Sequence, residues 1–199
     1  MTVVSLRAED GRQERSRHNR AAVADAMIEC IKAGNLRPSA QEVATRAGVS
    51  PRTVFRHFKH MEALMEETTR IHLERVVPLI PAVVFEGVLQ KRIRSIVNSW
   101  ATYADLSAPM WRAGRIALPF STYLQESDAW LHVIIAEHID KAFRSELQQL
   151  TLAKRIRRRH SLRAILSHTH WEELTEKQNL SRKDAARTLE EALSILLMA

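Results

Sequence analysis

The sequence predicts an all-α protein, on three observations. Glycine and proline are scarce, 5 and 6 in 199 residues, so long stretches run without a helix breaker. No alternating run of β-branched residues bounded by turn residues occurs, which leaves no candidate strand. Apolar residues recur instead at helical spacing, and several such segments open on a serine that can cap them. There is no internal repeat and no low-complexity tract.

Residues 1–16 are polar, carry Arg7, Arg12 and Arg15, and are expected to form a disordered basic arm, a solvated tail with the reach to touch phosphates. A first helix is expected from Arg17 to Ala33, with Val23, Met27, Cys30 and Ile31 along one stripe and Gly34 as its stop. Cys30 is the only cysteine, which excludes an intrachain disulfide and places it as a core residue. Ser39 can cap the next helix, with Glu42 three residues on completing a capping box. Gly48 suits a sharp corner, where the backbone turns left-handed. Ser50 then caps a short helix with Pro51 at its first position, running to about Phe58. Val43, Ala44, Ala47, Val49, Val54 and Phe58 form the apolar side. The Ala44, Gly48, Val54 spacing is that of a helix-turn-helix: a small residue at the crossing, a glycine at the corner, and a plug into the core.

The second of these helices leaves Arg52, Thr53, Phe55, Arg56 and His57 off the buried face. In a major groove, arginine matches guanine edges, threonine meets bases or phosphates, and an aromatic ring packs on a thymine methyl or a sugar. The segment from Asn19 to Ile71, and most of all "PSAQEVATRAGVSPRTVFRHFKHMEALM", resembles the DNA-binding head of the tetracycline-repressor (TetR) family of bacterial transcriptional regulators. Two positions depart from that family's pattern. Phe55 stands where tyrosine is usual, and Met61 where a lysine usually contacts the backbone; Lys59 or His60 can substitute. The resemblance implies a DNA-facing set of Ser39, Ser50, Arg52, Thr53, Phe55, Arg56, His57, Lys59 and His60. It divides the chain into a head over 17–59 and a helical effector-binding and dimerisation body over 60–199.

In the body, a fourth helix is expected from His60 to Val77, stopped by Pro78 and Pro81. Others are expected from Glu86 to Leu106, with Val88, Ile93, Ile96, Val97 and Trp100 inward, and from Pro109 to just before Pro119. A long amphipathic one follows from Ser127 to Leu150. The last two run from Ser161 to Lys177 and from Ser181 to Met198, where Ser181 and Asp184 make a variant capping box. Their apolar faces carry Leu162, Ile165, Leu166 and Thr169, and then Leu189, Ala192, Leu193, Leu196 and Leu197. Two such helices can finish a monomer's core; the resemblance implies a four-helix dimer interface, and a dimer suits two helix-turn-helices reading a palindrome. The run "KRIRRRH", Lys154 to His160, reads as a solvated loop or helix start. The middle of the chain gathers large adaptable side chains, most of them core. The resemblance implies a pocket there for a small apolar or aromatic effector, with Trp100, Tyr103, Met110, Trp111, Arg115 and Trp130 as candidates.

The net charge is +7 with a pI near 10.1, as a nucleic-acid partner would favour. Residues 1–60 carry 11 Lys/Arg against 6 Asp/Glu, residues 61–150 carry 9 against 11, and residues 151–199 carry 10 against 6. The excess therefore sits on the head and the C-terminal third. His168 and His170 are two apart and His132 and His138 six apart, so neither pair shares a helix face well enough to hold a metal. No cysteine pair, zinc-protease helix or glycine-rich phosphate loop occurs. The expectation is no catalytic residue, no metal, no cofactor and no enzyme. No run approaches membrane-spanning length and no signal peptide opens the chain, so a cytoplasmic protein without a membrane partner is expected. The function expected is a homodimeric, effector-released repressor on a palindromic DNA operator. The alternatives are a ligand-independent DNA-binding regulator and a helical interaction or scaffold protein that does not use its helix-turn-helix.

Overall fold

The computed structural model describes residues 3–198, with side chains from His18 onward. Ten α-helices follow one another among them, and no strand. They are α1 (Val3–Lys32), α2 (Ala40–Ala47), α3 (Pro51–His57), α4 (Met61–Val76), α5 (Leu89–Ala117), α6 (Thr122–Ala142), α7 (Arg144–Gln148), α8 (Leu152–Ile165), α9 (His168–Glu172) and α10 (Arg182–Met198). A π-helical stretch, Glu173–Lys177, extends α9.

Several boundaries differ from the sequence reading: the helix expected from Ser161 to Lys177 is broken at Leu166 between α8 and α9, and the one expected from Ser127 begins at Thr122. The first helix begins at Val3 instead of Arg17, through a stretch free of proline that holds three arginines and two glutamates, so the backbone expected as a disordered arm is helical from Val3. The arm's arginine side chains lie outside the described residues. The two helices expected on either side of Pro109 are one, α5, with the proline inside. Burial of Ala101 and Ala104 before the proline and of Met110 and Ala113 after it outweighs the missing N–H. The long helix expected to Leu150 ends at Ala142, because Phe143 leaves helical geometry (φ −121°, ψ 25°) before α7 begins. The basic run is helical throughout, within α8. There, Arg155 donates to the carbonyls of Leu147, Gln148 and Leu150, and Arg159 to Asp140 at 2.6 Å. Two of its arginines are thus internal staples.

The chain divides into two compact units. The first comprises the described residues up to Arg75 together with Pro109–Gln125. Its core joins Val23, Met27 and Ile31 of α1, Val43 and Ala44 of α2, Val54 of α3, Phe58, and Leu64 and Met65 of α4. Met110 and Ala113 from the end of α5 and Leu124 from the start of α6 complete it. Cys30 is buried here with them.

The second unit comprises Val76–Ala108 and the described residues from Glu126. Its core is built on Ile93, Val97 and Trp100 of α5, Ile139 of α6, Phe143, and Leu147 of α7, against Leu162, Leu166, Trp171, Leu189 and Leu193. Arg92 is buried, donates to both Glu146 oxygens (3.0 and 2.6 Å), to the Gly87 carbonyl (3.0 Å) and to the Ala142 carbonyl, and so fastens α5 to α7. Val88, expected inward, is 72% exposed because it precedes the helix and offers only its carbonyl to the first turn.

Of the nine residues expected on a dimer face, Leu162, Leu166, Leu189 and Leu193 are fully buried inside the single chain. They are core residues: the apolar period is real, and its partner is the rest of this unit. Ile165, Ala192, Leu196 and Leu197 are half-buried, and Thr169 is exposed.

Candidate nucleic-acid interface

The helix-turn-helix is built from its caps inward. Ser39 Oγ accepts from the Glu42 N–H (3.3 Å), and Glu42 Oε2 accepts from the Ser39 N–H (2.8 Å). This closes the capping box at the start of α2. Gly48 ends that helix with φ 68° and ψ 29°, donating to the carbonyls of Ala44 and Thr45. Ser50 Oγ accepts from the Thr53 N–H (3.2 Å), and Pro51 sits at the first position of α3. Seven residues would not hold a helix alone. Val54 and Phe58, both buried in the first core, hold this one.

The nine DNA-facing candidates fall into two groups. Arg52, Phe55, Arg56, Lys59 and His60 are exposed, Phe55 to 50%. Arg52, Phe55 and Arg56 lie at i, i+3 and i+4, on one face of α3. Neither Arg52 nor Arg56 is paired with any described residue. The remaining four are engaged. Ser39 and Ser50 are spent on caps, and Thr53 Oγ1 lies 3.1 Å from Ser50 Oγ. The His57 ring is half-buried, with Nε2 sealed from solvent. Burial first, then the charges of Arg56 and Arg20, pushes its pKa down. His60 Nδ1 accepts from the Ala63 N–H (3.1 Å) and caps α4; the same nitrogen lies 3.3 Å from Glu62 and cannot donate there while it caps.

Sequence reasoning missed Arg20. Its Nη1 donates to the His57 carbonyl (3.0 Å), its Nε to Glu67 (3.3 Å), and its guanidinium lies 4.5 Å over the Phe58 ring. The two partners are 37 and 47 residues away, beyond any local pattern. Ser121 was also unmarked. It is buried, caps α6 through the Leu124 N–H (3.2 Å), and donates to Glu66 of α4 (2.6 Å).

The six effector candidates are divided between the two units. Trp100 and Tyr103 meet in the second unit, ring centroids 5.7 Å apart, and His168 stands edge-on to both at 5.0 and 5.2 Å. Burial raises the Tyr103 hydroxyl to about 12 and lowers His168 to about 4. Met110 is core in the first unit, and Arg115 lies over Trp111 at 5.1 Å in that same unit. Trp130 is 54% exposed. An open depression of about 470 Å³ in the second unit, edged by Phe85, Lys141 and Arg144, holds none of the six.

Comparison with known proteins agrees with this geometry. Residues 25–68 match the sequence profile of the bacterial regulatory proteins of the tetR family. The fold is similar to that of a transcriptional regulator from Rhodococcus sp. Rha1, at 17% identity and a TM-score of 0.64, over 92% of this chain and 96% of that one. It is also similar to a TetR family transcription regulator from Marinobacter aquaeolei VT8, at 15% identity and a TM-score of 0.59, over 93% and 96%. No curated protein sequence matches. The chain is thus similar, over the helix-turn-helix of residues 25–68, to the tetR family of bacterial regulatory proteins.

Proposed function

We propose that the chain is a repressor that binds a palindromic operator as a homodimer and lets go of it when a small apolar or aromatic effector binds. The observation that carries the DNA contact is α3: a short helix capped by Ser50 and plugged by Val54, with Arg52, Phe55 and Arg56 presented together and Arg52 and Arg56 unpaired among the described residues. Lys59 and His60 follow it just before α4, both exposed, and Lys59 adds a further cation. Phosphate contacts hold register while arginine reads base edges.

The dimer rests on what α8 and α10 leave uncovered. Ile195 and Met198 are 62% and 72% exposed, Leu152 and Ile156 69% and 44%, with Ala192, Leu196 and Leu197 half-covered between them. An effector would be received beside Trp100 and Tyr103, where the buried Trp100 indole N–H has no hydrogen-bond partner among the described residues. It releases DNA only by binding one state better than the other, and by linkage DNA weakens its binding by the same factor.

The test is selection of bound duplexes from a random pool by the purified protein. Enrichment of an inverted repeat supports the reading. A pool that stays random, or a single unrepeated half-site, overturns it.

A further inference from the structure

The geometry points to Arg20 as a positioning residue for DNA recognition, one that sets the direction of α3 from behind without touching DNA. The inference rests on the reading that α3 meets the groove. The last carbonyls of a helix have no partner inside it, and in a helix of seven residues those carbonyls make up most of the element. The Phe58 N–H satisfies the Val54 carbonyl (2.9 Å). The His57 carbonyl is met by Arg20 Nη1 instead. The same planar guanidinium places Nε on Glu67 of α4 and sits over the Phe58 ring, 4.5 Å from its centroid. One side chain of α1 therefore ties the end of α3 to α4.

Glu67 is held in turn. Its second oxygen accepts from Arg70 (3.0 Å), which also reaches Glu74 (2.5 Å). Arg70 first, then Arg20, keeps the Glu67 carboxylate below its ordinary range. The Arg20 side chain is 44% exposed, and an ion pair that wet adds little to stability. Its fixed fork does supply direction, which a lysine's single ammonium does not.

The test turns on sign. Glu67→Gln removes a negative charge from a basic head, so electrostatics alone predicts tighter DNA binding with unchanged preference. Positioning predicts the reverse: operator affinity falls about tenfold, on the scale of one lost base contact, and discrimination against random duplex shrinks. Arg20→Lys keeps the charge and loses the fork, so it is expected to show the same loss, with the slope of log affinity against log salt unchanged. A phosphate contact would behave oppositely: lysine would rescue it, and Arg20→Ala would lower the slope by about one. Thermal melts of each variant exclude unfolding, and the two conservative variants carry the test if Arg20→Ala does not fold. Tighter binding by Glu67→Gln, or full rescue by Arg20→Lys, overturns the inference. If the wild-type protein binds no duplex, or Arg52→Ala with Arg56→Ala leaves binding intact, the DNA reading itself has failed.

Discussion

Arg52 and Arg56 point outward because Val54 and Phe58 point inward, and a helix of seven residues has room for few other choices. If either arginine reads a guanine edge, its change to alanine is expected to cost about 1–3 kcal/mol on operator and to relax preference at one base pair. If it meets phosphate only, all sequences weaken equally and the salt slope shrinks by about one; titrations on operator and random duplex at two salt concentrations tell these apart. Phe55→Tyr is expected to leave binding intact or tighten it, since the ring is half-exposed and gains a donor. Met61→Lys is expected to tighten binding without changing the preferred sequence. Met61 is half-buried against the first core, so a lysine stem can keep that packing while its ammonium reaches out. Gly48→Ala is expected to lower stability by about 1–2 kcal/mol in a denaturant titration, from the left-handed backbone alone, because an added Cβ meets no atom within 4 Å. All of these residues were legible in the sequence, because caps, corner and plug are local signals. His57 was legible only as a position. Its sealed nitrogen and most of its depressed pKa come from burial, with the charges of Arg56 and Arg20 adding to the second, and no local pattern reports that burial.

At the scale of elements, periodicity told which side of α8 and α10 is apolar and left open what that side packs against. Leu162, Leu166, Leu189 and Leu193 close the chain's own core. Leu189→Ala is therefore expected to cost about 2–5 kcal/mol in chemical denaturation, as for other fully buried leucines, and Leu193→Glu to unfold the protein. Ile195→Glu separates the two roles. That side chain is exposed in the single chain, so the fold is expected to survive while light scattering reports a monomer. A folded dimer from Ile195→Glu would move the interface elsewhere. Pro109 was misjudged for a related reason. A proline lowers the odds of a helix locally, but the buried residues on both sides of it are set by chain segments far away in sequence.

At the scale of the whole molecule, each unit holds one buried histidine whose pKa is driven to about 4, His72 in the first and His168 in the second. Burial is the main cause in both, and in the first unit Lys32 and Arg75 add to it. The unfolded chain takes up these protons near pH 6.5, well before the folded one. Their neutral forms thus favour folding above about pH 6.5, and that contribution is lost as pH falls toward 4, by roughly 3 kcal/mol for each histidine. Melting temperature is expected to drop over this window. His168→Phe keeps a ring against Trp100 and Tyr103 and is expected to flatten the drop. The first unit has a practical consequence for anyone rewiring such regulators. Its interior is assembled from two separated stretches of gene, the second supplying Met110, Ala113, Leu124 and the Ser121 hydroxyl that Glu66 receives. A chimera spliced after Arg75, meant to graft a new DNA specificity onto an old sensor, would pair a foreign head with this chain's corner and leave mismatched surfaces at every one of those four positions. The portable cassette is discontinuous, and Pro109–Gln125 has to travel with it.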